Sequence, residues 1–414
     1  MTAQAAAARN IRAAEPAGTA VAFDLWSAEF QADPFPLLHR LRAEDPVHRS
    51  PHGFWFLTRY DDVAAVLRDS RRYTSATAPG RLRAKVGNVA AFEYVSRRMQ
   101  NLPPPRHERL RSLLSCAFGA PRIKALRQRI QAIVESRLAE AAEDRRMEVM
   151  GSLADPLPSF VIGELLGVPQ ADRERLSAWT EDTAVLFEIA SAPARARAYA
   201  AAAAAMAYAQ DLLRERRRMP AQDDLIGAMM LAGGGVDGLA EEEIAANIVF
   251  LSSAGHRTTR DLIGNGLIAL LAHPDQWRRL AFNAALLPGA VEECLRYDSS
   301  VAMSGRWVLE DTVIGGKQIS AGDHILLSLS AANRDPARFR NPDQFDIERI
   351  DNRHLAFGGG GLNHCLGLML ARLQAQIVFQ TLSERFPGLR MEGDTVQWHK
   401  LSVFRSPIAV QVRW

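Results

Sequence analysis

The sequence predicts a mainly α protein with a few short strands. Three stretches carry that reading. Residues 241–272 hold the longest helical pattern, about 45 Å if unbroken at roughly 1.5 Å per residue. Residues 199–214 are dominated by alanine, the residue with the best intrinsic helix propensity. Residues 368–382 form an apolar helix directly after a glycine-rich turn. The 414 residues are 48% hydrophobic and 23% charged, enough apolar material for a sizeable core. No repeat or linker divides the chain. Residues 19–414 therefore read as one domain behind a disordered Ala-rich tail, residues 1–18.

In chain order, residues 34–44 read as a helix, with Asp33 as cap and Pro34 at the first position. Residues 47–58 alternate about Pro51-His52-Gly53 and read as a β-hairpin. Residues 61–68 form a short helix capped by Asp61. Residues 77–102 are weakly periodic and read as a long loop with at most one helical turn. Amphipathic helices follow at 107–118 and 122–142. The alanine-rich helix reads as a solvent-side element without a ligand role, and Gly233-Gly234-Gly235 then resets the chain. Past the long helix, residues 288–296 begin another. Residues 307–330 alternate around Gly315-Gly316 and Ala321-Gly322, giving two or three strands. Residues 332–351 are an irregular meander rich in Pro, Asp and Arg. Residues 401–412 end in strand-like alternation.

Lys and Arg total 50 against 47 Asp and Glu, a net charge of +3. That balance gives no footprint for nucleic acid. Cys116, Cys294 and Cys365 are too few and too scattered for a disulfide framework or a zinc cluster, and fit a reducing cytoplasm. No apolar run precedes a cleavage site, and none reaches the roughly 18 residues of a membrane anchor. The richest stretch, residues 262–272, is interrupted by Gly264, Asn265 and Gly266. The expectation is a soluble, cytoplasmic protein.

The chemistry concentrates at Cys365. The segment His354-Leu-Ala-Phe357-Gly358-Gly359-Gly360-Gly361-Leu362-Asn363-His364-Cys365-Leu366-Gly367 delivers one cysteine to the mouth of the apolar helix. Glycines let the backbone pass close beneath a flat macrocycle, and the helix N-terminus favours a thiolate. The plain alternative is a small buried hydrophobe. At the middle of the long helix stand Ala254-Gly255-His256-Arg257-Thr258. The Ala-Gly pair leaves room for a ligand beside the backbone, or for another helix. The Thr258 hydroxyl can bond back to a carbonyl or to a bound oxygen species. Glu293 and Arg296 put opposite charges at i and i+3 among apolar neighbours. If buried, they need further partners, for which Asn333, Arg334 and Asp335 are candidates. His107 and Arg111, at i and i+4, can aim two donors at one anion, and Arg306 lies beside a strand. Read singly, each is a surface charge.

Taken in order, these segments resemble the cytochrome P450 family, specifically its soluble bacterial members. The order is Pro104-Pro105-x-His107-x-x-x-Arg111, Ala254-Gly255-x-x-Thr258, Glu293-x-x-Arg296, Asn333-Arg334-Asp335-Pro336 and Phe357-Gly358…Cys365-Leu366-Gly367. The resemblance runs from about Asp24 to Trp414. It implies the cytochrome P450 fold, a triangular helical prism with a small β-rich lobe, holding haem b between the long helix and the cysteine helix. It implies Cys365 as the axial thiolate on iron, which favours O–O cleavage. His107, Arg111 and Arg306 match positions that bind the haem propionates. Ala254, Gly255, Phe357, Asn363, His364 and Gly367 would lie against the macrocycle. Thr258, with Arg257 beside it, matches the residue that steers protons to iron-bound dioxygen. Glu293 and Arg296 match a structural pair that ties its helix to the meander.

The implied activity is monooxygenation of a medium-sized organic molecule. Phe250, Ala254, Val301, Ala302 and Phe404 would form a mainly apolar substrate pocket. Electrons from NAD(P)H would arrive singly through ferredoxin reductase and ferredoxin, since the chain has no cysteines for a cluster of its own. Secondary-metabolite tailoring, a small-molecule or carrier-tethered substrate and a monomer are the further expectations.

Two departures from the family pattern stand out. Arg257 occupies the place of a usual Asp or Glu, and arginine stays protonated. It points out of the pocket to a carboxylate elsewhere, or anchors an anionic substrate, or marks a peroxide-driven or atypical oxidation. A haem-binding partner or sensor without turnover is the other alternative. Second, Phe357 and Cys365 are eight positions apart where the family has seven. The extra residue falls among Gly358, Gly359, Gly360, Gly361 and Leu362 and is expected to bulge. Whether Asn363 or His364 then meets a propionate is open.

Overall fold

The computed structural model describes residues 21, 23–141, 144–187, 192–232, 238–393, 395–400 and 403–414. The expected tail and Gly233-Gly234-Gly235 lie outside them. Helices dominate, with three small sheets. The long helix Glu241–Leu271 runs through the core and is buried along most of its length. Against it pack Pro156–Leu166, Arg173–Ala184 and Ala192–Arg216 on one side and Leu287–Tyr297 and Leu368–Arg385 on another. Glu243 closes the N-terminus by accepting the Ala240 N–H (3.0 Å).

The largest sheet has five strands in the order Val47–Arg49, Phe54–Leu57, His324–Ser328, Met303–Val308, Tyr73–Thr74. The expected hairpin is its first pair, with Val47 opposite Leu57 and Gly53 at φ 87° in the turn. Thr312–Ile314 and Lys317–Ile319 form a second hairpin about Gly315 and Gly316. The last strand, Gln411–Arg413, pairs with Arg146–Glu148 and Arg390–Met391.

Several local expectations need correction. Residues 77–102 contain two helices, Pro79–Val86 and Val89–Arg97, and a 3-10 turn, Met99–Asn101. Pro79 starts the first, the Asn88 side chain caps the second on the Ala91 N–H (3.0 Å), and Ala91, Tyr94 and Val95 are buried. Asp61 lies in the first turn of Tyr60–Arg68 and does not cap it. The Tyr60 N–H donates instead to Asp335, 275 residues away (2.8 Å). Residues 122–142 split at Leu126 into Ala120–Ala125 and Arg127–Glu140. The alanine helix is not a solvent-side element. Ala198, Ala202, Ala205 and Ala209 are fully buried, and their small side chains allow close packing on the long helix. Met303–Val308 begins four residues before the expected strand, because Ser304-Gly305-Arg306 hides the alternation.

Candidate active site

The cysteine loop is built on left-handed backbone. Gly358, Gly359 and Gly360 have φ of 88°, 66° and 88°, a conformation only glycine adopts readily. The turn closes where the Cys365 N–H donates to the Phe357 carbonyl (3.0 Å). The loop leans on the end of helix Tyr60–Arg68. Arg68 Nε donates to the Gly359 carbonyl (2.8 Å), and a Cβ at Gly361 would collide with the Leu67 carbonyl oxygen. Gly367 caps the helix Leu368–Arg385 that follows. Burial pushes the Cys365 thiol up, opposed by the Gly367 N–H and by the charges of Arg111 and Arg372. A coordinated metal reverses that balance, because a ligating thiol is deprotonated outright.

Above Cys365 lies a cavity with about 1440 Å³ of empty space, part of it open to solvent. His107, Arg111, Ala254, Gly255, Thr258, Arg306, Phe357, Asn363, His364 and Gly367 all line it, with Phe250 and Val301. Gly255 serves both purposes open to it: it faces the cavity, and a Cβ there would come within 2.8 Å of the Ile162 side chain on the neighbouring helix. The His107 ring nitrogens face the Met99 (2.9 Å) and Leu362 (3.3 Å) carbonyls. Asn363 Nδ2 donates to Ser75 Oγ (3.0 Å), and His364 Nδ1 accepts the Gly360 N–H (3.3 Å).

The donor set fits haem. Among the described residues, no carboxylate forms an ion pair with Arg111 or Arg306. Arg306 is 5% exposed, and among the described residues its guanidinium donates only to Ser304 Oγ (2.8 Å) and the Gly305 carbonyl (2.7 Å). Burial pulls it down to about 10. A buried guanidinium without a counter-ion is costly. A macrocycle carrying two carboxylates and a thiolate-seeking metal supplies what both ends of this cavity lack.

On the long helix, Thr258 Oγ1 donates to the Ala254 carbonyl (2.8 Å) at the cavity wall. Arg257 leaves the cavity. It is 8% exposed, and its Nη1 lies 3.0 Å from Glu181 Oε2 on helix Arg173–Ala184. Ala302 and Phe404 also depart from expectation, since both line a second, smaller cavity on the far side of the Val301 wall. Val301 and Ala302, though adjacent, therefore do not share one pocket.

Glu293 and Arg296 are fully buried and joined by hydrogen bonds of 2.7 and 2.8 Å. Arg296 also donates to the carbonyls of Asn333 (3.0 Å), Pro342 (2.7 Å) and Gln344 (3.2 Å). Glu293 accepts from Arg349 Nε (3.2 Å), Asn352 Nδ2 (3.1 Å) and the Asp346 N–H (2.8 Å). Asn333 is thus a partner, whereas Arg334 and Asp335 serve other contacts, and Arg349 and Asn352 were not foreseen. Nor was the cluster beside Phe357. Arg372 donates to both Glu292 oxygens (2.7 Å each), and its guanidinium lies 4.7 Å from the Phe357 ring centre. His354 Nε2 lies 3.1 Å from Glu292, with Nδ1 accepting the Ala356 N–H (3.2 Å).

Among the described residues, no helix is long and apolar enough to cross a membrane. The family description "Cytochrome P450" matches residues 283–398. The biotin biosynthesis cytochrome P450 of Bacillus subtilis (strain 168) is 38% identical over 92% of this chain and 96% of its own. Cytochrome P450 monooxygenase PikC of Streptomyces venezuelae is 39% identical over 93% and 92%. The crystal structure of P450BioI in complex with hexadec-9Z-enoic acid ligated acyl carrier protein superposes with a TM-score of 0.87 at 36% identity, covering 93% of this chain and 99% of that one. With a thiol, two arginines, a histidine and a threonine gathered on one cavity and likeness of this extent, the chain belongs to the cytochrome P450 family and is a haem-thiolate monooxygenase.

Proposed function

We propose that this enzyme hydroxylates or otherwise oxidises a medium-sized, mainly apolar molecule of secondary metabolism in the cytoplasm, as a monomer. The substrate is a free small molecule or an acyl chain delivered on a carrier protein. The observation that carries this reading is the single cavity in which Cys365, His107, Arg111, Arg306 and Thr258 meet under apolar walls. The P450BioI complex with a carrier-bound acyl chain supports the tethered form.

Cys365 would hold the haem iron, and His107, Arg111 and Arg306 the propionates. Bound haem supplies reductive activation of dioxygen, with electrons from NAD(P)H through ferredoxin reductase and ferredoxin. Phe250, Val301, Leu251 and Ile162 keep water from the reacting carbon and orient the substrate. Thr258 holds a proton at its hydroxyl, parked in a hydrogen bond to the Ala254 carbonyl until it is needed. Arg257 stays charged and turned to Glu181, so water brings protons to Thr258. A second reading has one observation in its favour. Among the described residues, no Asp or Glu lines the main cavity, which favours peroxide as oxidant.

Spectral titration of the haem protein with free and carrier-bound acyl chains, then turnover with each oxidant, tests both readings. A substrate-induced shift followed by product under NADPH, ferredoxin and reductase is expected, with Thr258→Ala diverting electrons to peroxide. Product from peroxide alone, unaffected by Thr258→Ala, would replace the first reading with the second.

A further inference from the structure

The two cavities share one wall. Residues 300–304 and 403–405 run between them. Ser300, Val301 and Ser304 face the main cavity, whereas Ala302 and Met303 face the second, which has about 400 Å³ of empty space counting open solvent, of which about 20 Å³ is open to the centre of a water-sized occupant. Val301 pairs with Phe404 through an isolated antiparallel bridge. The Ala302 N–H donates to the Val403 carbonyl (2.8 Å), and the Arg405 N–H to the Ser300 carbonyl (2.9 Å). The Val301–Phe404 pairing belongs to no named strand, so at that point the partition is one layer of main chain, although Met303 and Ser304 pair onward with Ser328 and Leu327 in the five-stranded sheet.

What braces it is Arg257. The guanidinium carbon lies 5.3 Å from the centre of the Phe404 ring, within cation–π range. On its other side the same group is held by Glu181 (3.0 Å), with Asp261 4.0 Å from Nε. Glu181 is itself fixed by Arg260 Nη1 (3.2 Å) and faces His256 Nδ1 (3.5 Å). Arg257 lines neither cavity. Its planar, permanently charged group is well suited to sit between a carboxylate and a ring.

We propose that Arg257 is a positioning residue that sets the length of the substrate cavity, by pressing Phe404 against the Val301 wall and keeping the two cavities apart. When the brace loosens, the far end of an extended alkyl or acyl substrate passes into the second cavity. That cavity is lined by Phe30, Pro34, Leu38 and Met303 with polar groups from His399 and Arg405, and so suits a chain with a polar tip. The inference rests on the main cavity being the substrate site, but not on any particular substrate.

A series of 1-alkylimidazoles tests it on the haem-loaded protein. The imidazole nitrogen ligates the iron, and the tail reports how much room lies beyond. Affinity is read by optical titration without turnover. While the tail is being buried, each methylene improves binding about fourfold. In the unaltered protein the gain stops at the length where the tail meets the partition. Arg257→Ala and Phe404→Ala are each expected to move that stop at least about two methylenes further, roughly fifteenfold in affinity at that length. The double variant is expected to move it no further than either alone. If Arg257→Ala does not retain haem, Arg257→Gln, which keeps the bulk and removes the cation, is expected to give the same displacement. A stop at unchanged length in the Arg257 variants, or one common loss of affinity at every length, overturns the proposal. Failure of carrier-bound acyl chains to bind would sink the acyl reading of function and leave this result unaffected.

Discussion

Arg372 grips both carboxylate oxygens of Glu292 at 2.7 Å while its guanidinium faces the Phe357 ring at 4.7 Å. One cation thereby links the helix Leu287–Tyr297 to the residue that starts the cysteine loop. Burial alone would raise the Glu292 carboxyl. The hydrogen bonds from Arg372 and His354, with the Arg372 charge, outweigh it and hold the carboxyl at about 2 against an ordinary 4.5.

The sign of the pH effect follows. A carboxyl depressed on folding stabilises the protein above its unfolded value, and that stabilisation fades as pH falls from about 4.5 to about 2. Glu292→Gln is expected to be less stable than the parent at neutral pH, with the gap closing across that window. Urea unfolding at a series of pH values measures the gap. A gap independent of pH would show that the carboxylate charge contributes nothing.

Arg296 has five donor contacts within the buried cluster, and removing it strands Glu293. Arg296→Met is expected to lose about 3–5 kcal/mol, the usual cost of breaking a buried pair. Arg296→Lys rescues little, because an ammonium lacks the planar fork that reaches carboxylate and carbonyls together. Denaturant midpoints check both, and a loss below about 1 kcal/mol for the Met variant would contradict the buried-pair account.

The cysteine loop makes a graded prediction. At Gly360 an added Cβ meets nothing, and only the φ of 88° opposes it, so Gly360→Ala is expected to cost about 1 kcal/mol. At Gly361 the Cβ runs into main chain at Leu67, which has no rotamer to yield. Gly361→Ala is expected to cost about 1–3 kcal/mol and to reduce the fraction showing a thiolate signature in the ferrous carbonyl spectrum. Equal stability and equal spectra for the two variants would count against the observed loop path.

Arg306 is expected to matter for cofactor retention more than for folding, because the folded protein already bears its burial. Arg306→Gln should speed haem loss roughly tenfold to a hundredfold, matching about 1.5–3 kcal/mol for a hydrogen bond to a charged group. Transfer of haem to an excess of acceptor protein reads this directly. Unchanged transfer would remove Arg306 from the propionate set.

The short motifs were legible because their chemistry is local. A cysteine at a helix mouth, a glycine beside a threonine and an i, i+3 ion pair need only neighbours in sequence. What connects distant segments was not legible. Glu181 stands 76 residues before Arg257, and nothing along the chain announces the pairing. The helices Pro79–Val86 and Val89–Arg97 were missed because each is short and presents few buried residues. Val301 and Ala302 were placed in one pocket because they are neighbours in sequence, whereas the chain passes from one cavity wall to the other between them. The location of Phe404 was not legible, because its register against Val301 is fixed only in three dimensions.

Because the loop that carries Cys365 abuts helix Tyr60–Arg68 at Gly359 and Gly361, its sulfur has lost much of its compliance. Residues 67 and 68 act as a mechanical stop for a sulfur some three hundred positions downstream. Mutational drift there, where neither substrate nor cofactor is touched, would be felt first as a change in how far that sulfur reaches.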